Sequence, residues 1–124
     1  MNVNDYQIGG AHYSHQNYQH WDFAVDITGN DAYLKGCASK YVVRYKEKNG
    51  IEDLRKAIHY LDKISDKGLF TSYLDGKNHG IIMEFVAQLE PMIAHIVVAI
   101  YSNDIELAKK YINELIEQVL DGKE

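Results

Sequence analysis

The chain has 124 residues, of which 46% are hydrophobic and 25% charged, and its formal net charge is −5 at pH 7. These are ordinary values for a globular protein, and the length suffices for one domain with its own core. No apolar run approaches the roughly 20 residues of a membrane-spanning helix, and the single cysteine excludes an internal disulfide. The sequence therefore predicts a soluble cytoplasmic protein with no membrane partner.

The charges are distributed unevenly along the chain. Residues 1–34 carry four acids and no Lys or Arg, residues 35–67 carry nine cations against five acids, and residues 79–124 carry eight acids against three cations. This basic island argues against binding along a nucleic acid, which requires a broad positive face. It suits a small anion such as a phosphate group, although Lys and Arg also serve simply to solvate amphipathic helices.

The first 20 residues lack a sustained hydrophobic period and are rich in aromatic and histidine side chains. His12, His15 and His20 invite a zinc interpretation, but zinc needs a fourth ligand and no Cys or carboxylate is close in the pattern. The sequence therefore assigns no metal. His12 and Tyr13 can instead stack on a base or donate hydrogen bonds to phosphate, or the segment is a loop packed on its own core.

The middle of the chain predicts a short helix followed by a helical hairpin. The short helix opens at residues 19–22 with Trp21 as a core anchor. Helices are then predicted over residues 32–48 and 51–66, because apolar residues recur at three- and four-residue spacing. Asn49 and Gly50 separate them, since both tolerate positive φ. On the second helix, Arg55, Lys56 and Lys63 are predicted to face solvent.

The C-terminal third predicts further helices. Residues 67–80 contain turn formers and apolar side chains, which indicates a packed connector. Pro91 either kinks the helix that follows or begins a new one, and Asn103 with Glu106 is predicted to form a capping box for the last helix. Residues 81–124 carry more apolar residues than one partner layer covers, which favours a homo-oligomer; packing against the first hairpin is the alternative.

The fold class that these patterns predict is all-α. The two helical hairpins are expected to pack as a small irregular bundle of four to five helices. Residues 1–66 form the first part, residues 67–80 the connector, and residues 81–124 the C-terminal hairpin.

Cations and aromatic residues supply the candidate binding site. Lys40 and Arg44 are four residues apart and project from the same side of a helix, and Arg adds bidentate geometry toward a phosphate. The turn at Asn49 and Gly50 should bring further cations to the same end of the hairpin. The candidate phosphate-binding residues are Lys40, Arg44, Lys48 and Lys56. The candidates for stacking on a base or hydrogen bonding to the ligand are His12, Tyr13, Trp21, Tyr45 and Tyr60, each of which can also be a core or loop residue.

Residues suited to catalysis are fewer. The sequence has neither a phosphate-binding loop of the G-x-x-x-x-G-K-S/T kind nor a G-x-G-x-x-G motif. Within the hairpin, Glu52 and Asp53 are the acids placed to hold the Mg²⁺ that a kinase requires. Glu114 and Glu117 have the spacing of the E-x-x-E motif in all-α nucleotide pyrophosphatases, without the second acidic motif. The sequence thus predicts binding without a resident cofactor.

One stretch resembles a known family. Its pattern consists of Gly36, Ala38, Lys40, Tyr41, Arg44, Lys48, Asn49, Gly50, Asp53, Leu54, Lys56, Ala57 and Tyr60. Together with His12, Tyr13 and residues 19–22, it is similar to the SaV-like family of small phage proteins, a domain of unknown function, over about residues 6–65. One podovirus member is described as a nucleotide kinase. Cys37 stands where many members carry Asn.

Three functions follow as hypotheses. The first is a phage accessory protein, in the cytoplasm of an infected bacterium, that binds a nucleotide or a nucleotide-derived signal and sequesters a host defence messenger. The second, implied by the resemblance, is a nucleoside monophosphate kinase that uses ATP and Mg²⁺. The third is a helix-turn-helix protein with Arg55, Lys56, His59 and Lys63 in a DNA groove, which the acidic total charge disfavours.

Overall fold

The computed structural model describes residues 18–122. This part of the chain forms six α-helices and no β-strand, so the predicted all-α class is confirmed. The helices are α1 (His20–Thr28), α2 (Ala32–Arg44), α3 (Ile51–Lys67), α4 (Gly76–Val86), α5 (Pro91–Tyr101) and α6 (Ile105–Leu120). No helix between residues 18 and 122 is both long enough and apolar enough to cross a membrane.

The helices pack around one continuous core. α2 contacts α3 and α5, α3 contacts α6, and α5 contacts α6, while α1 packs on α2 and α4 packs on α5. Each of the four central helices contributes side chains with no exposed surface, among them Leu34, Leu54, Ile100 and Ile112. The C-terminal helices therefore cover the apolar faces of the first hairpin, and the segments on either side of the connector share one interior.

Helix boundaries differ from the predicted ones at three places. α2 ends at Arg44 and continues as a 3-10 turn over Tyr45–Glu47, and α4 begins at Gly76, inside the predicted connector. The capping box predicted for Asn103 is wrong, because Asn103 adopts a positive φ of 64°. Asp104 is the N-cap instead, and its side chain accepts a hydrogen bond of 3.4 Å from the Leu107 amide. Pro91 begins a new helix, at the first position, where its missing N–H costs nothing.

Lys63 is buried, and its prediction as a solvent-facing residue is wrong. Its side chain is 2% exposed, and its Nζ lies 2.8 Å from Asp22 Oδ1 and 4.8 Å from the centre of the Trp21 ring. Asp22 also pairs with Lys67 at 3.0 Å. These contacts fasten α1 onto α3, and the buried charge is tolerated because it has an ionic partner.

A second buried cation, Lys35, joins three connecting segments. Its Nζ donates to Asp31 Oδ2 at 2.6 Å, to Asn103 Oδ1 at 2.8 Å and to the carbonyl of Thr71. The hydroxyl of Tyr73 donates to the other Asp31 oxygen at 3.0 Å. Neither Lys35 nor Asp31 has an exposed side chain. Burial lowers the pKa of Lys35, and the hydrogen bond and charge of Asp31 act against that shift. We call these five residues the Lys35 network.

Partly buried tyrosines make the fold sensitive to alkaline pH. Burial, with a contribution from Cys37, raises the pKa of Tyr33 from 10.0 to about 12. Burial and the hydrogen bond to Asp31 raise the pKa of Tyr73 from 10.0 to about 12. Burial also raises the pKa of Tyr60. Because the folded state holds these protons more tightly, the stabilisation is complete below pH 10 and is lost as pH rises toward 12.

We therefore expect the free energy of unfolding to fall between pH 10 and 12, measured by urea denaturation at each pH. The Tyr73→Phe variant, which cannot titrate, should show a shallower decline over that interval. A decline as steep as that of the parent protein would show that Tyr73 does not contribute.

Candidate functional site

Three predicted cations surround one tyrosine ring. Lys40 Nζ lies 4.8 Å from the centre of the Tyr41 ring, Arg44 Cζ lies 4.7 Å from it, and Lys56 Nζ lies 5.6 Å from it. The ring is partly buried, and a cation over such a ring gains about 0.5–2 kcal/mol. We call Lys40, Arg44 and Lys56 the cation cluster. Lys48 is exposed in the following turn and makes no ionic or ring contact within residues 18–122.

The cations differ in how far carboxylates neutralise them. Arg44 Nε is 3.4 Å from Asp53 Oδ2 and Nη2 is 3.5 Å from Oδ1, and the buried Nε makes no hydrogen bond within the described residues. Lys56 is 3.8 Å from Glu52. Lys40 is exposed and pairs with no carboxylate between residues 18 and 122. Lys40, and to a lesser degree Arg44, therefore retain donors for an anion.

Asp53 is buried and stabilises the turn between α2 and α3. Its side chain has no exposed surface, and Oδ2 accepts a hydrogen bond of 3.2 Å from the Asn49 amide in addition to its contacts with Arg44. The carboxylate therefore ties the turn between α2 and α3 to the end of α2. Residues 18–122 contain no group of three or more His, Cys, Asp or Glu side chains arranged to hold a metal.

A cavity of about 330 Å³ adjoins the cation cluster. Its lining consists of Gly36, Ser39, Lys40, Val43, Arg44 and Phe85. The α2 members are spaced three and four residues apart, so they form one face of the helix, and Phe85 on α4 completes the lining. A Cβ added at Gly36 would meet no heavy atom within 4 Å, so packing does not require glycine there and its missing side chain enlarges the cavity. We call this space the cationic cavity.

A second cavity, of about 300 Å³, shares Ser39 and Phe85 with the first. Its other walls include Tyr73, Asn78, Ile82 and Tyr101, and we call it the aromatic cavity. The Ser39 hydroxyl and the Tyr101 hydroxyl lie 2.9 Å apart. The Tyr73 ring meets the Tyr101 ring edge to face with centroids 6.0 Å apart, and its amide donates to the Tyr101 carbonyl at 2.7 Å. The two tyrosines thus fix each other's orientation.

The aromatic residues predicted to stack on a base pack mainly against the protein itself. Tyr45 is 1% exposed and lies in the core. Trp21 is buried and contacts Tyr60 edge to face at 5.5 Å, and Tyr60 stacks on Tyr41 at 5.8 Å. Tyr60 therefore packs against Tyr41, the ring that the cation cluster surrounds. His12, Tyr13 and His15, for which the sequence predicted ligand contacts or considered zinc, lie outside the described residues. His20 is exposed, with its ring 5.4 Å from that of Tyr33.

The helix-turn-helix hypothesis requires four basic side chains of α3 on one exposed surface, and the structure exposes two of them. His59 and Lys63 are buried, so only Arg55 and Lys56 of the four basic groove residues reach the surface. Two neighbouring cations provide little of the positive face that a DNA backbone requires.

The cavity residues on the connector, α4 and α5 were not predicted from the sequence. Phe85 and Ile82 belong to residues 81–124, whose apolar surplus predicts an interface. Tyr73 belongs to the predicted connector. The available signal was that surplus itself, because a helix with more apolar residues than the core can bury exposes them to a partner or to a cavity. Phe85 is 42% exposed, which is consistent with that signal.

One family model matches part of the chain. Residues 9–62 match the family model of a protein of unknown function, DUF3310. The matched segment contains the whole cation cluster and α2, and it ends before the connector, α4 and α5, which provide the other lining residues of the two cavities. No curated protein and no solved structure matches the chain.

Proposed function

We propose that the protein binds a nucleotide or a nucleotide-derived signalling molecule, with a phosphate group held by Lys40 and Arg44. The observation that carries this proposal is that both cations line one cavity while Lys40 has no carboxylate partner within the described residues. A phosphate there would accept from a guanidinium and an ammonium, the two groups that bind phosphate most effectively in proteins.

The dimensions and surroundings of the site support the same ligand class. Small-molecule sites in proteins have volumes of about 300–1,000 Å³, and the cationic cavity, at about 330 Å³, is near the lower limit. Aromatic and apolar side chains lie beside the cations, as the organic part of a nucleotide requires. The family match also covers the cation cluster, although that family has no assigned function.

The role that we propose is sequestration of a messenger by a phage accessory protein. Asp53, the acid that could best serve a phosphoryl-transfer reaction, already contacts Arg44 and the Asn49 amide. Binding without turnover needs no further acid. The phage context rests on the resemblance of residues 6–65 to the SaV-like family.

A nucleoside monophosphate kinase is the alternative function. The DUF3310 match includes the residues on which the SaV-like resemblance rests, and one member of that family is described as a nucleotide kinase. In this case Asp53, whose side chain has no exposed surface, would have to exchange its contacts with Arg44 for Mg²⁺ bound with ATP. Formation of a nucleoside diphosphate distinguishes the kinase from the sequestering protein.

Native mass spectrometry after incubation with a mixture of mononucleotides, cyclic dinucleotides, ATP and Mg²⁺ tests the proposal. We expect one nucleotide to be retained per chain with its mass unchanged. Conversion of a monophosphate to a diphosphate would favour the kinase. Failure to retain any nucleotide, with the same mixture and the folded full-length chain, would contradict both functions.

We further propose that the protein assembles into a dimer or a larger oligomer. Ile81 at 60% exposure and Leu120 at 65% exposure remain uncovered in the segment whose apolar surplus suggested an interface. The same spectra give the number of subunits, and a single chain at micromolar concentration, confirmed by light scattering, would contradict oligomerisation.

A further inference from the structure

The two cavities are neighbours that share two walls. Ser39 on α2 and Phe85 on α4 line both of them. A molecule whose anionic end lies against Lys40 and Arg44 therefore has the aromatic cavity directly beside it. Phe85, as the common apolar wall, would contact such a molecule along its length.

The aromatic cavity has the chemistry of a site for a flat heteroaromatic ring. The rings of Phe85 and Tyr101 provide apolar faces, and Tyr73 holds Tyr101 in place by an edge-to-face contact. Sequence-tolerant binding of nucleobases uses such aromatic faces, because every base has a π-face.

Asn78 provides a polar group at the same cavity. Asn78 lines the cavity and carries a side-chain amide. An amide donates and accepts in one plane, which allows it to pair with the edge of a base. The hydroxyls of Ser39 and Tyr101, 2.9 Å apart where the cavities adjoin, provide polar contacts for a sugar.

From these observations we infer that the aromatic cavity binds the base of a single nucleotide unit, with Phe85 as its stacking wall and Asn78 as the residue that reads the base. This inference deepens the proposed function and rests on it. Each cavity is near the lower size limit of known ligand sites, so the pair fits one base, one sugar and one phosphate rather than a second nucleoside. Base recognition then belongs to residues of α4 and α5 rather than to Trp21 and Tyr60.

The test is isothermal titration calorimetry of the full chain with ribose 5-phosphate and with the four ribonucleoside 5′-monophosphates. We expect the preferred nucleotide to bind at least about tenfold more tightly than ribose 5-phosphate, since one stacked base accounts for such a difference. The Phe85→Ala variant should lose most of that difference, and its affinity for ribose 5-phosphate should fall by less, because Phe85 also lines the cationic cavity. Phe85 is 42% exposed, so the variant is expected to fold.

Phe70→Ala is the matched control, because Phe70 is 79% exposed and lines neither cavity; its affinities should equal those of the parent protein. In the Asn78→Ala variant, the ratio between the highest and the lowest affinity among the four nucleotides should fall by about tenfold, as expected when a base-edge contact is lost. The preference for nucleotides over ribose 5-phosphate should remain.

The outcomes separate this inference from the proposed function. Equal affinity for ribose 5-phosphate and all four nucleotides, or equal weakening of both probes by Phe85→Ala, would overturn the base site and leave phosphate binding intact. If the Lys40→Ala variant binds the phosphate-containing probes as tightly as the parent protein does, the proposed function is contradicted instead. If no probe binds to the folded chain, both are wrong.

Discussion

Replacement of Asp31 by Ala is expected to lower the free energy of unfolding by about 3–5 kcal/mol, as found when one partner of a buried ion pair is removed. Among the described residues, Lys35 would keep two neutral acceptors, the Asn103 amide oxygen and the Thr71 carbonyl. Tyr73 would also lose the acceptor of its hydroxyl. Urea denaturation followed by far-UV circular dichroism measures the change.

The matched control for Asp31→Ala is Glu90→Ala, which breaks an exposed ion pair. Glu90 lies 2.9 Å from Lys46, and the two side chains are 62% and 40% exposed, so this loss should cost less than about 1 kcal/mol. The double variant Asp31→Ala, Lys35→Met should be less destabilised than Asp31→Ala alone, because no unpaired charge stays buried. An Asp31→Ala cost no greater than that of Glu90→Ala would contradict the structural role of the network.

Replacement of Arg44 by Ala is expected to weaken nucleotide binding by about ten- to a hundredfold, which corresponds to a charge-assisted contact of about 1.5–3 kcal/mol. Arg44→Lys should recover only part of the affinity, since an ammonium keeps the charge but loses the planar fork. Arg44→Ala should also lower the free energy of unfolding by about 1–3 kcal/mol, because it leaves the buried Asp53 carboxylate without its cation.

Lys40→Ala separates the binding effect from the stability effect. Lys40 is exposed and has no carboxylate partner within residues 18–122, so its loss should weaken binding while changing stability by less than about 0.5 kcal/mol. Arg55→Ala is the control, because Arg55 is exposed on α3 and lines neither cavity. If Arg44→Ala lowers stability while Lys40→Ala and Arg44→Ala both leave affinity unchanged, the two cations do not form the site.

Stability and binding are connected through Tyr73. Its hydroxyl belongs to the Lys35 network, and its ring lines the aromatic cavity. Because the network joins the connector to α2 and to the turn between α5 and α6, it fixes one wall of that cavity. We therefore attribute to Lys35 a positioning role for the candidate site in addition to its role in the fold.

The sequence by itself determined the features of this protein that depend on near neighbours in the chain. Three- and four-residue apolar spacing predicted the helices, and Asn49 and Gly50 predicted the turn between α2 and α3. Pro91 predicted either a kink or a helix start, and the structure has it at the start of α5. The four-residue spacing of Lys40 and Arg44 placed both on one face of α2, and the structure has both in the lining of one cavity. Helical period and turn preference are local properties, so a sequence expresses them directly.

Only the tertiary structure decided which charges are buried and what lies opposite the cations. Lys63 was predicted to face solvent, but it is buried because α1 brings Asp22 to it from 41 positions earlier in the chain. The same separation divides Arg44 from Phe85, which line one cavity. Lys63 is buried because a distant segment supplies its ionic partner, and each cavity is lined by segments that are distant in the chain. Neither condition leaves a periodic signal in the sequence, which is why the aromatic cavity had to be found in the fold.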